Sequence, residues 1–158
     1  MAELDFEVEI AAPPARVWAF FVPQRMPLWY GAEMESEFEV QGGAADFETG
    51  QKVRITGRMA GREVTLTAVL TRYEWGRVLE WRFQDAYGIK GLQRWELEPN
   101  GAGTHLRMRE EYALPTNGFL ARSLNALVMK RNVSRRDKLF LSRLKHLAEG
   151  APGKERKR

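Results

Sequence analysis

From Met34 to Leu114 the chain alternates apolar and polar residues in six runs broken by glycine-containing turns. Met34, Ser36, Phe38 and Val40 alternate with glutamates as far as Gly42-Gly43. "QKVRITGRM" meets "REVTLTAVLTRYEW" across Ala60-Gly61, and "RVLEWRFQ" follows Gly76. "IKGLQRWELE" then passes through "PNGAG" into "THLRMREEYAL". Side chains one apart lie on opposite faces of a strand, and short Gly or Asn-Gly turns join strands antiparallel. The pattern therefore predicts a meander of six consecutive strands. "LDFEVEI" near the N-terminus, with Leu4, Phe6, Val8 and Ile10 on one face, adds a seventh.

Two segments break this rhythm. "AAPPARVWAFF" has prolines suited to a first helical turn and Val17, Phe20 and Phe21 at helical spacing. "FVPQRMPLWYG" (Phe21–Gly31) follows, and its prolines exclude both a long helix and a strand. It is read as a second short helix beside one end of the curled sheet, whose Trp29 and Tyr30 plug or line the mouth of a cavity. After the strands, "PTNG" offers capping residues and a break-free helix of about 30 residues runs to Glu149, with its stop at Gly150 and Pro152. The expected fold is α+β: a seven-stranded curved antiparallel sheet wrapped around a long C-terminal helix, with two short helices between strands 1 and 2. Residues 1–149 form one domain and 150–158 a basic, disordered tail. A strongly twisted sheet curled on one helix tends to leave interior space.

A chain of 158 residues can bury one real core. The absence of cysteine excludes disulfides, a thiol nucleophile and thiolate metal sites. No apolar run reaches the ~20 residues that span a bilayer, and "MAELDFEVEI" lacks signal-peptide grammar, so the cytoplasm is the expected location. Residues 117–158 carry +9 and residues 1–116 carry −5. A basic segment suits nucleic acid, anionic lipid or an acidic partner. Nothing indicates a specific nucleic acid, and peripheral contact with an anionic surface stays open.

"VEIAAPPARVWAFF", "MPLW", "GLQRWELEPNGAGTHLRMREEYALP" and "LKHLAE", in that order and spacing, resemble the START-like, helix-grip (SRPBCC) superfamily over Leu4–Glu149. The superfamily includes pollen-allergen-type ligand carriers, lipid-transfer domains and bacterial polyketide cyclase/dehydrase-like proteins. The resemblance implies a helix-grip fold with an internal site for a hydrophobic molecule. It leaves function broad, because members bind, transport, cyclise or act as protein co-regulators.

Period-2 alternation sends Trp81 and Phe83, then Gln93 and Trp95, then Met108, Glu110 and Tyr112, to the inner face, with Met59 on the same side. Trp29 and Tyr30, and Met129, Val133 and Phe140 on the long helix, complete the candidate ligand-binding set. A mostly apolar wall with few polar groups suits a small hydrophobic ligand, and the same residues can equally fill a core. Glu110 is the most informative of them. A carboxylate at an inward position must be paired or hydrogen-bonded, or its pKa rises. It can pair with an arginine of the long helix, anchor a ligand hydroxyl, or work as an acid/base with Tyr112.

His105 and His146 have no partners at metal-ligand spacing, and no nucleophile-elbow, P-loop or complete dinucleotide motif occurs, so neither metal nor cofactor is expected. Leu120, Leu124, Leu127 and Val128 make a second apolar stripe on the long helix, read as a homodimer or cavity-mouth contact. Three functions follow. The first is binding, transport or sequestration of a lipid, isoprenoid or polyketide. The second is a cyclase/dehydratase-type enzyme, and the third a regulatory module using the basic helix.

Overall fold

The computed structural model describes residues 2–86, 88–113 and 119–155, with side chains in the last segment described for 127–150. "PTNG" lies outside the described residues. Seven strands form one antiparallel sheet: β1 (Ala2–Ile10), β2 (Glu37–Val40), β3 (Lys52–Met59), β4 (Arg62–Glu74), β5 (Val78–Asp85), β6 (Lys90–Asn100) and β7 (Gly103–Ala113). Their spatial order is β1-β7-β6-β5-β4-β3-β2. The meander is consecutive because each hairpin turn permits it. Ala60 and Gly61 both take positive φ, the geometry of the two-residue turn that matches strand twist. A register shift between Leu70 and Arg72 marks an irregularity in β4 that adds local bend to the sheet.

β1 pairs with β7, with Ala2 opposite Tyr112 and Ile10 opposite Thr104, so β1 and β2 lie at opposite edges. The connector between them must cross the sheet. It does so through α1 (Pro14–Trp18) and two 3-10 turns, Met26–Leu28 and Ala32–Met34. The long helix α2 (Phe119–Glu155) runs past Gly150 and Pro152, the stop expected from sequence. Lost helical hydrogen bonding at a proline weighs less in a last turn than in an interior one. Val133, Phe140, Leu141, Leu144 and Ala148 are its buried apolar face. Glu149 fixes the helix to the β1–α1 junction, accepting from the Ala11 backbone N–H (2.7 Å) and Lys145 Nζ (2.6 Å).

"FVPQRMPLWYG" is part of the core. Phe21, Met26, Trp29 and Tyr30 are buried, while Leu28 points outward. Trp29 Nε1 donates to the Phe20 carbonyl (2.8 Å), and the Trp29 ring lies 5.1 Å from Phe21 and 6.0 Å from Trp95. Two anchors, one polar and one aromatic, thus hold the connector against the sheet.

Candidate functional site

Three elements bring polar groups together inside this aromatic core. β6 contributes Gln93 and β7 contributes Glu110, opposite one another in register. α2 contributes Arg136 and Asp137, and the connector contributes Tyr30. Gln93 Oε1 accepts from Tyr30 Oη (2.8 Å) and Trp81 Nε1 (2.7 Å), while its Nε2 donates to Glu110 Oε1. Arg136 Nη2 donates to both Glu110 oxygens (2.7 and 3.0 Å) and to Asp137 Oδ1 (2.9 Å). The guanidinium also lies 5.7 Å from the Phe140 ring centroid.

Glu110 and Asp137 are 1% and 0% exposed, against 29% for the Arg136 side chain. The cluster therefore reaches solvent through Arg136. Burial pushes Glu110 up to about 7; Arg136 opposes the rise, and neighbouring Asp137 adds to it. Burial raises Asp137 as well. On Arg136, desolvation works against the charge, and Glu110 and Asp137 outweigh it, so its pKa rises.

Two carboxyl groups facing one arginine are best satisfied by holding one proton between them. Asp137 Oδ2 is buried without a donor when both are ionised. A proton held by the neighbouring Glu110 carboxyl would give that oxygen a donor. The arrangement can give or take one proton near neutral pH. Among the described residues, the buried Tyr112 hydroxyl, on the same face of β7, has no hydrogen-bond partner, and neither has the indole N–H of Trp95.

Of the residues expected from sequence, Trp29, Tyr30, Trp81, Phe83, Gln93, Trp95, Met108, Glu110, Tyr112, Val133 and Phe140 are all buried, and Met129 packs against them. Met59 does not join them and is 54% exposed. Its phase is inward, but β5 pairs with β4 only from Leu66 onward, so the β3–β4 tip stands beyond anything it could pack on. Leu127 and Val128 are exposed (73% and 61%), and the side chains of Leu120 and Leu124 lie outside the described residues.

The wall is also filled where it is described. Tyr30 and Phe140 have ring centroids 4.8 Å apart, Trp81 and Trp95 5.3 Å, and Tyr30 and Trp81 5.5 Å. Sequence reading did not pick out Asp137. The signal was present, because Asp137 stands four residues after Val133 and three before Phe140 on the sheet-facing stripe. Among the described residues no cluster of three metal-ligating side chains occurs, and no helix is long and apolar enough to cross a membrane.

Several solved structures share the architecture. Protein CV1439 from Chromobacterium violaceum superposes with a TM-score of 0.69 at 16% identity, covering 93% of this chain and 96% of that one. Ara h 8.0201 gives 0.71 at 11% identity, covering 93% and 97%. DynU16, described as a putative protein in the dynemicin biosynthetic locus, gives 0.65 at 20% identity, covering 95% of this chain and 48% of that one. At these identities the likeness establishes the fold. A comparison with curated proteins gives no match. In sequence, residues 1–149 match the family described as polyketide cyclase / dehydrase and lipid transport. With the helix-grip architecture and a match over nearly its whole length, the chain belongs to the polyketide cyclase/dehydrase and lipid-transport family.

Proposed function

We propose that the protein binds a hydrophobic small molecule of the lipid, isoprenoid or aromatic polyketide class against the inner face of the sheet. The observation that carries this reading is the buried Tyr112 hydroxyl, without a partner among the described residues and on the same face of β7 as the Glu110–Arg136–Asp137 cluster. A buried hydroxyl left unpaired costs about 1–3 kcal/mol, and a polar group on a bound ligand removes that cost. Apolar rings would hold the body of the ligand and the polar cluster would orient it. Native mass spectrometry of the purified protein, with titration of the neutral dye Nile red, tests the reading. A co-purified apolar molecule, or saturable dye binding weakened by Tyr112→Phe, is expected. No bound molecule and no dye binding would remove the proposal.

A second reading, general acid/base catalysis in a cyclase or dehydratase reaction, is favoured by one observation: Glu110 is poised at about 7. Glu110→Gln is then expected to abolish turnover and spare ligand binding, and undiminished turnover would exclude that role. Self-association through exposed Leu127 and Val128 is tested by solution scattering, where a monodisperse monomer at high concentration would dismiss it.

A further inference from the structure

The face of the sheet turned away from α2 carries two different charge patterns. Toward β1, β7 and β6 nearly every cation has a partner. Arg94 bridges Glu80 (3.0 Å) and Glu96, Arg107 holds Asp5 (2.6 Å), and His105 contacts Glu9. Arg72 on β4 still pairs with Glu74, but toward the β2 edge this stops. Lys52, Arg54 and Arg82 are exposed and make no ion pair with any described residue. Glu39 stands opposite Arg54 in register, yet the two do not pair.

These three cations, together with the carboxylate of Glu39 at one side, line a groove of about 620 Å³. Each of β3, β4 and β5 supplies a triplet whose middle residue is buried and whose flanking residues are exposed: Lys52–Arg54, Thr67–Val69 and Arg82–Gln84. That phase puts the groove on the outer face, separate from the core. Val69, 39% exposed, lies between Lys52 and Arg82 in register and forms an apolar floor. The turn Gln41–Gly43, with positive φ at Gly42 and Gly43, closes one side.

We infer that this groove is a binding site for a small amphipathic anion, a phosphate or carboxylate head on a short apolar body. Two guanidinium groups and an ammonium around one floor supply the charge and donors that such a head needs, and the volume suits a small molecule. Unpaired cations held side by side repel, and an anion between them relieves that repulsion. Val69 and the arginine and lysine stems give the apolar part its contact.

The test is amide chemical-shift titration of the ¹⁵N-labelled full chain with hexyl phosphate and, separately, with inorganic phosphate at matched ionic strength. Saturable shifts confined to Gln41–Gly43, Lys52–Arg54, Thr67–Val69 and Arg82–Gln84 are expected, with hexyl phosphate the tighter ligand. The double variant Arg54→Glu/Arg82→Glu should weaken binding about tenfold or more, with its spectrum elsewhere unchanged. The control Arg16→Glu/Arg62→Glu, which alters net charge equally on exposed residues outside the groove, should not. Equal weakening in both variants, or shifts scattered over every basic residue, would overturn the site. Equal affinity for the two phosphates would overturn its apolar half. Shifts centred on Glu110 and Tyr112 would reject the groove and support the interior site instead, so the two proposals fail separately.

Discussion

Glu110 shows how a strand residue can be located from sequence while its chemistry is not. Its inward phase follows from period 2, and its need for a partner follows from burial. Arg136 and Asp137 come from a helix 26 residues away in sequence, and alternation in β7 carries no information about them. Their arrangement has a pH consequence. Burial raises Glu110 from 4.5 to about 7 in the folded state, so the folded chain holds a proton that the unfolded chain releases between those values. The stability this group contributes is therefore whole below about pH 4.5 and is lost as pH rises through about 7, a change of about 3 kcal/mol. Asp137, also raised by burial, acts in the same direction. Glutamine mimics protonated Glu110, since its amide can donate to Asp137 and its oxygen can accept from Arg136. Glu110→Gln is expected to match the parent near pH 5, to exceed it in urea-unfolding stability near pH 8, and to flatten the slope between. A parent-like slope in the variant would show that Glu110 is not the titrating group.

A glycine inside a strand marks a bend or a close approach by a neighbouring group, and Gly91 in β6 is such a residue. The structure assigns the second. A Cβ at Gly91 would lie 2.1 Å from the Glu111 carbonyl oxygen and 2.8 Å from the Phe83 ring. The ring could move, but the carbonyl belongs to the neighbouring strand and cannot move without disturbing the β6–β7 ladder that sets Gln93 opposite Glu110. Gly91→Ala is expected to cost about 2 kcal/mol or more in urea unfolding, by overpacking. A Phe83→Leu background should recover only a small part of that loss, and full recovery would place the clash on the ring. Met59 shows the opposite limit of strand logic. Its inward phase was legible, but the reach of the neighbouring strand was not, because the length of β5 against β4 depends on pairing. The connector Phe21–Gly31 was legible as something other than loop because of its apolar content. Its anchoring to Phe20 and Gln93 came only with the fold.

The meander and the long helix were legible because each rests on local chemistry, alternation with turn residues and an unbroken helical stripe, whereas the place of β1 beside β7 was not. Whether the inner face encloses space was not, because periodicity tells which way a ring points and not what it meets. Here rings from the connector, β5, β6 and α2 meet one another, so a ligand entering that region must displace packed aromatic surface. Trp81 and Trp95 allow a measurement of this. Both are buried, their rings touch, and Phe in place of either removes a similar volume. They differ in one bond: Trp81 Nε1 donates to Gln93, whereas Trp95 Nε1 has no acceptor among the described residues. Trp81→Phe should therefore cost more than Trp95→Phe, by about 1 kcal/mol in chemical denaturation, because it alone sacrifices a made hydrogen bond. If close packing is what limits entry, each variant leaves a void and should take up Nile red more tightly than the parent, whatever its stability. Equal costs would mean that the Trp81–Gln93 bond contributes nothing. Unchanged dye affinity in both would mean that the ligand space lies away from these rings, and the hydroxyl of Tyr112 would then be the group from which to search for it.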